Sequence, residues 1–168
     1  MKKNGFTLVE ILVAMGILTM VMTFSSMMLY STYKGARKAG AIAQAKSEGA
    51  YAMKAMSNLI SFGTKISCNL VPNSLVVTRL NGDQVTYSLT GKQIASTSGL
   101  LVQNLTSTNV AVVPCSGTTI FSCNAATGAQ TVNICFNINR ANSIDVTDSA
   151  GLNGVNFQSQ VTLENFGN

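Results

Sequence analysis

The sequence contains no histidine and no tryptophan, and only 10% of its 168 residues are charged. Without histidine the chain has neither the usual general base nor the commonest metal ligand of proteins. This absence excludes a triad hydrolase and a histidine-ligated zinc enzyme. A length of 168 residues is enough for one modest domain and too short for several.

The net charge of +5 is concentrated in the N-terminal third of the chain. Residues 1–66 hold eight of the eleven Lys and Arg residues and two of the six acidic residues, whereas residues 67–168 hold three basic and four acidic residues. A nucleic-acid-binding domain would present a basic stripe. A net charge of −1, with Arg79, Lys92 and Arg140 as the cations, argues against a nucleic-acid partner, although the three could still cluster locally.

A run of 23 residues without a charge occupies positions 11–33. At the helical rise per residue this run is roughly 35 Å long, enough to cross a bilayer core of about 30 Å. We predict a membrane-spanning helix here, because buried helices of soluble proteins are seldom so long without a charge. Glu10 lies at the edge of the run, where a charge is costly and needs a partner, so we treat it as a functional residue.

The segment GFTLVE at residues 5–10, followed by an apolar helix, resembles the signature of type IV prepilins. The resemblance implies that an inner-membrane prepilin peptidase cleaves between Gly5 and Phe6 and then methylates the new amino group of Phe6. Glycine before the cut suits an extended chain in a narrow protease site. Glu10 would be the fifth mature residue and would match the family's glutamate, which neutralises the terminal amine of a neighbouring subunit. The alternative for Glu10 is an interfacial carboxylate without a partner.

Two features depart from the simplest expectations for such a chain. Lys34, Arg37 and Lys38 directly follow the apolar run, so a positive-inside count would place the C-terminal part in the cytoplasm. We give the leader motif precedence and predict a single-pass inner-membrane protein with a cytoplasmic N-terminus and an external C-terminal domain, which then enters a pilus or pseudopilus. Met27 stands where many major pilins carry a proline that kinks the helix, which favours a minor pilin or pseudopilin.

Apolar residues at helical spacing predict that the helix continues beyond the membrane and ends at Phe62-Gly63. Gly35, Gly40 and Gly49 each weaken such a helix by about 1 kcal/mol relative to alanine. The stripe predicted to pack on a sheet consists of Ile42, Ala45, Gly49, Met53, Met56 and Ile60.

Alternating residues predict a sheet in the remainder of the chain. Segments 74–80 and 84–90 flank Asn81-Gly82-Asp83, a strong hairpin signal, and Gly91-Lys92 leads into 93–97 to complete a three-stranded meander. Further strands are predicted at 100–105, 110–113, 131–139 and 157–165. The meander and the ending QSQVTLEN resemble minor pilins and pseudopilins of the W and J type.

Together these segments predict an α+β, pilin-like fold, in which a long N-terminal helix with a transmembrane first half packs on a C-terminal antiparallel β-sheet domain. The predicted organisation is a leader peptide at 1–5, a transmembrane and filament-core helix at 6–33, its amphipathic continuation at 34–63, and an extracytoplasmic β-rich domain at 64–168.

The four cysteines, Cys68, Cys115, Cys123 and Cys135, all lie beyond the helix. An even number in an oxidising compartment indicates disulfides, with three alternative pairings. We favour Cys115–Cys123, which closes the small loop CSGTTIFSC, and then Cys68–Cys135 by elimination. Free thiols are an alternative, and a zinc site is disfavoured because the chain has no CxxC motif and no histidine.

No group of residues supports catalysis, a cofactor or a metal site. Asp145 and Asp148 lie among turn residues and are interpreted as bracing a loop. We therefore predict a minor pilin or pseudopilin subunit, with a filament-borne binding module for adhesion or DNA uptake as the alternative and an anchored enzyme last. The implied partners are prepilin peptidase, other pilins or pseudopilins, an inner-membrane assembly platform and membrane lipid.

Overall fold

The computed structural model describes residues 7–68, 73–115, 119–124, 130–141 and 154–164. The chain divides into two compact units, Met1–Gly40 and Ala41–Asn168. The described ranges contain one helix, α1 (Leu8–Ser61), and nine strands. The strands are β1 (Lys65–Cys68), β2 (Ser74–Thr78), β3 (Gln84–Thr90), β4 (Gln93–Ser98), β5 (Leu101–Asn104), β6 (Val110–Pro114), β7 (Phe121–Cys123), β8 (Thr131–Arg140) and β9 (Val155–Thr162).

The end of helix α1 agrees with the sequence prediction. Its last residue is Ser61, and the Gly63 amide donates a hydrogen bond to the Ile60 carbonyl at 3.0 Å. A side chain at Gly63 would meet a methyl group of Val77, so glycine also allows the chain to pass closely over β2. The predicted stop at Phe62-Gly63 is therefore confirmed.

Strands β1 to β5 form an antiparallel sheet in which neighbours in sequence are neighbours in space. The hairpin between β2 and β3 is the one predicted: Gly82 has a φ of 85°, and the Asn81 side-chain oxygen accepts a hydrogen bond from the Asp83 amide at 3.1 Å. Glycine adopts this backbone conformation without steric cost. The predicted meander is confirmed, and the sheet extends it by β1 on one side and β5 on the other.

The second sheet is built around β8, the longest strand. Phe136 of β8 is opposite Pro114 of β6 and Phe157 of β9, whereas Ile134 of β8 is opposite Phe121 of β7 and also β9. Strands β6 and β7 therefore follow one another along one edge of β8, and β9 occupies the other edge. Sequence analysis predicted β6, β8 and β9 but not the short strands β1 and β7.

The second part of α1 contributes a buried face to the core of the Ala41–Asn168 unit. Ala45, Gly49, Met56 and Ile60 of the predicted stripe are buried, while Ile42 and Met53 are only partly buried and Ala52, which was not predicted, is fully buried. The sheets and Ile120, which directly precedes β7, contribute the other large buried side chains. Those of the sheets are Phe121, Phe136, Ile66, Leu75, Ile94, Ile134 and Ile138. The α+β layout is confirmed.

The structure contradicts the predicted disulfide pairing, because it joins Cys68 to Cys123 and Cys115 to Cys135. The reason lies in the register along β8. Pro114 is opposite Phe136 and Cys123 is opposite Val132, so Cys115 and Cys123 are displaced along the same edge by about three residues, or about 10 Å. A disulfide requires Cα atoms within about 7 Å, whereas the observed pairs are 6.0 Å and 5.6 Å apart.

The two observed disulfides have different topological roles. Cys68 ends β1 at the margin of the first sheet and Cys123 ends β7 in the second, so their bond ties the two sheets together. Cys115 and Cys135 are linked within the second sheet, between the residue after β6 and the middle of β8. All four thiols are consumed, which leaves none of them as a metal ligand or nucleophile.

Several predictions fall on residues outside the described ranges. They concern the leader and cleavage site, Gly5 and Phe6, the loop that carries Asp145 and Asp148, and the end of the last predicted strand at residue 165.

Candidate functional site

The first turn of α1 is fixed by its own sequence. The Thr7 hydroxyl accepts a hydrogen bond from the Glu10 amide at 3.3 Å, and the Thr7 carbonyl accepts from the same amide at 3.1 Å and from the Ile11 amide at 3.3 Å. Threonine three residues before glutamate is the spacing of a capping box. Glu10 therefore stands in the first turn, where the helix dipole favours a negative charge.

Glu10 lies at the N-terminal end of an apolar helix face. Ile11, Ala14, Met15 and Leu18 line this face together with Glu10. All residues from 7 to 40 are exposed, including large apolar side chains, so the described part of the chain does not cover them. A helix that is apolar on all sides requires lipid or other helices around it. Within the described residues, α1 is the one helix long and apolar enough to span a membrane.

Four of the six serine and threonine hydroxyls in the apolar run are hydrogen-bonded within the helix itself. The side chains of Thr19, Thr23, Ser26 and Thr32 each donate a hydrogen bond to a backbone carbonyl three or four residues earlier, at 2.8 to 2.9 Å. In hydrocarbon an unsatisfied hydroxyl is costly, and this internal bonding removes that cost. These four residues are therefore compatible with a lipid environment.

A second carboxylate, Glu48, has a structural role in the Ala41–Asn168 unit. Its two oxygens accept hydrogen bonds from the Ser107 amide and the Ser107 hydroxyl, both at 2.8 Å, and from the Gln44 side chain at 3.1 Å. Burial raises the pKa of this carboxyl, but the hydrogen bonds from Ser107 and Gln44 outweigh burial and leave its pKa below the ordinary value. The sequence patterns do not predict this contact, and the one signal for it is that Glu48 is the single acidic residue between positions 11 and 82.

The cations of the C-terminal part do not form a single stripe. Arg79 lies at the turn that precedes β3 and Lys92 at the turn that follows it, so the seven residues of β3 separate the two side chains along the sheet. This separation is about 20 Å or more. Arg140 ends β8 opposite Val110 of β6, and the Val112 amide of the same strand donates a hydrogen bond to the Lys92 carbonyl, so β6 connects Lys92 and Arg140 but not Arg79. The arrangement gives no support to a basic track for nucleic acid.

Comparison with known families identifies the N-terminal region. Residues 1–26 match the family model described as prokaryotic N-terminal methylation motif. The match includes the GFTLVE segment, Glu10 and the first part of the apolar helix. No curated protein and no solved structure matches the chain.

Proposed function

On the premise that this chain is a type IV prepilin-like protein, we propose that it is a minor pilin or pseudopilin subunit of a type IV pilus or a secretion-type filament. Proteins with this motif are processed by prepilin peptidase and assemble with other pilins, and the family is structural rather than enzymatic. The observation that carries the proposal is the conjunction of the motif with an apolar helix whose residues 7–40 are left exposed by the described part of the chain.

The proposed processing removes residues 1–5 and methylates Phe6. Thr7 already caps the helix through its hydroxyl and carbonyl, so the helix start does not depend on the leader residues. The mature chain would then begin one residue before a capped, apolar helix. This geometry keeps the membrane anchor intact after cleavage.

Glu10 is proposed as the assembly carboxylate, which pairs with the methylated terminal amine of a neighbouring subunit. Glu10 lines one surface of the helix together with apolar residues such as Ile11 and Met15, and in an apolar medium a charge there without a counter-ion is costly. A cationic amine from another subunit supplies that counter-ion. An apolar helix face around the pair lowers the local dielectric constant and strengthens the attraction.

In the proposed topology the N-terminus faces the cytoplasm and the Ala41–Asn168 unit lies outside, where its two disulfides are stable. The subunit is extracted from the inner membrane by an assembly platform and packs its apolar helix among those of other pilins. The β-sheet unit then faces solvent on the filament surface. We propose no enzymatic role for it.

Mass spectrometry of native protein tests the processing step. Protease Glu-C cleaves after Glu10, so a processed chain releases FTLVE with one added methyl group, whereas an unprocessed chain releases MKKNGFTLVE. Sheared surface filaments and the cell envelope should be analysed in parallel. Methylated FTLVE at a low ratio to a major pilin in the sheared fraction indicates a minor pilin, and its confinement to the envelope indicates a pseudopilin. MKKNGFTLVE in both fractions would overturn the proposal.

A matched pair of variants tests the role of Glu10. Glu10→Gln removes the charge with little change in volume, and we expect the variant to be processed but excluded from filaments. Glu164→Gln removes one charge from an exposed position in the other unit and should enter filaments normally. Incorporation of Glu10→Gln at the wild-type level would show that the carboxylate has no part in assembly.

A further inference from the structure

A cluster of aromatic and basic residues marks the end of the apolar run. The Lys34 ammonium lies 4.6 Å from the centroid of the Tyr30 ring, and the Arg37 guanidinium carbon lies 4.9 Å from the centroid of the Tyr33 ring. Both distances are within the range of cation–π attraction. The rings therefore hold two of the three neighbouring cations in defined positions. Lys38 completes the basic–aromatic cluster, which comprises Tyr30, Tyr33, Lys34, Arg37 and Lys38.

The five side chains share one face of the helix. At 100° per residue they fall within an arc of about 140°, and the three cations span about 6 Å of helix rise. All five are exposed, and the sequence has no acidic residue from position 11 to position 47. Among the described residues of the Met1–Gly40 unit, Glu10 is the one acidic residue, and it is 24 positions before Lys34 in the sequence. Within that unit the three cations, with a charge of +3, therefore have no neighbouring carboxylate.

The position of the cluster along the helix places it at a membrane surface. Tyr30 and Tyr33 follow Ile11, the first residue of the uncharged run, by about 30 Å of helix, which is the thickness of a bilayer core. Tyrosine rings favour the headgroup level because they are apolar with a polar tip. The cations one turn further on therefore lie at the depth of the lipid phosphates.

We propose that the basic–aromatic cluster is a binding site for anionic phospholipid headgroups at the membrane face opposite the N-terminus. This inference rests on the membrane-spanning helix of the proposed function. The ligand chemistry is a phosphate diester carrying a net negative charge. The planar guanidinium of Arg37 can donate two parallel hydrogen bonds to phosphate oxygens, whereas the lysines act as point charges. Tyr30 and Tyr33 are positioning residues, since they hold the cations at the headgroup level.

Lipid fits this site better than other anions because aromatic, basic and apolar residues occur in the order that a bilayer requires. A basic site for a soluble anion would not need the 23-residue apolar run immediately before it. An acidic surface of another protein would not need tyrosines at the depth of the interface. Each juxtamembrane cation strengthens the attraction to an anionic surface by about fivefold.

Native mass spectrometry of the full-length protein tests the site. The protein is equilibrated in detergent with equimolar phosphatidylglycerol and phosphatidylcholine, and the ratio of the two bound lipids is measured. We expect wild type to bind phosphatidylglycerol at least fivefold more often. The variant K34Q/R37Q/K38Q should bring the ratio close to one, and Y30L/Y33L should lower it in part. The matched control K46Q/K54Q/K65Q removes the same charge from exposed lysines of the other unit and should retain the preference.

Several outcomes would overturn the inference. They are an equal ratio for wild type, retention of the preference by K34Q/R37Q/K38Q, and an equal loss in the control, which would reflect net charge alone. Displacement of phosphatidylglycerol by millimolar inorganic phosphate would indicate a soluble anion as the ligand and would also overturn it. Because the readout is lipid binding, these results are independent of the methylated FTLVE peptide and of filament incorporation, which test the proposed function.

Discussion

Replacing Gly49 by alanine has two effects of opposite sign on the free energy of unfolding. In a helix interior alanine is favoured over glycine by about 1 kcal/mol, so helix propensity alone predicts that the substitution stabilises α1. The structure predicts the reverse. Gly49 is buried, and a Cβ atom at this position would overlap three atoms of the Phe157 ring. The sign of the measured change therefore decides between propensity and packing.

The magnitude follows from what surrounds the Phe157 ring. Its centroid lies 5.4 Å from that of Phe136, with which it stacks, and Phe136 is fully buried. Overpacking costs up to about 3 kcal/mol, and disturbing an aromatic pair costs about 1 kcal/mol more. We take the upper end because the added carbon would overlap the ring itself rather than a flexible chain end. After the propensity gain is subtracted, Gly49→Ala should lower the free energy of unfolding by about 3 kcal/mol.

The assay is urea unfolding of the full chain in mild detergent without reductant, followed by circular dichroism. Gly40→Ala is the control, because nothing lies within 4 Å of a Cβ placed there, and it should not destabilise. In a Phe157→Ala background the obstruction is gone, so Gly49→Ala should become stabilising by about 1 kcal/mol. A gain in stability from Gly49→Ala in the wild-type background would refute the packing argument.

Further predictions concern the Ala41–Asn168 unit. The folded-state pKa of Glu48 lies below its ordinary value of 4.5, so the unfolded chain binds a proton more readily than the folded chain. The ionised Glu48 carboxylate therefore stabilises the fold above pH 4.5, and this stabilisation is lost as pH falls through the folded-state pKa. Glu48→Gln should cost about 1 kcal/mol at pH 7 and flatten the decline of stability below pH 4.5, measured by urea titrations at several pH values. Cys115→Ala should free the thiol of Cys135 for alkylation in the unfolded, unreduced chain, whereas a labelled Cys123 would contradict the pairing. The disulfides close loops of 55 and 20 residues. The double variant C68A/C123A should therefore lose about 4 kcal/mol of unfolding free energy, and C115A/C135A about 3 kcal/mol. Their unfolding midpoints in urea measure the difference.

The parts of the fold that the sequence predicts are those with a strong local signal. Strand β3 has its predicted bounds because QVTYSLT alternates and follows a hairpin turn. Strands β1 and β7 have four and three residues, too few to show a period. They become strands through their partners, since Ile66 pairs with Val77 and Phe121 pairs with Ile134. That information is in the tertiary structure and not in the segments themselves.

The functional and structural residues discussed above also differ in whether the local sequence indicates them. Glu10 could be proposed as a site residue because the GFTLVE register and the apolar run surround it, and both are local in sequence, but its role in assembly stays a prediction. The disulfide pairing could not, because it depends on which residues of β6 and β7 are opposite each residue of β8. The sequence places Gly49 in the stripe that packs on the sheet and also predicts that it weakens the helix. The ring of Phe157, more than 100 residues away, shows why glycine is needed there.

The hydroxyl groups of the apolar run and the carboxylate of Glu10 differ in whether the helix itself can provide them with a partner. The hydroxyls of Thr19, Thr23, Ser26 and Thr32 are bonded to carbonyls of their own helix, so they need nothing from outside. A carboxylate has no proton to donate to those carbonyls, and the first turn offers Glu10 only the favourable end of the helix dipole, an effect of about 1 kcal/mol or less when exposed. At the centre of a membrane helix a charge costs at least about 2.5 kcal/mol. The helix dipole alone does not offset a cost of that size, and we propose that a cation from a neighbouring subunit supplies the difference for Glu10.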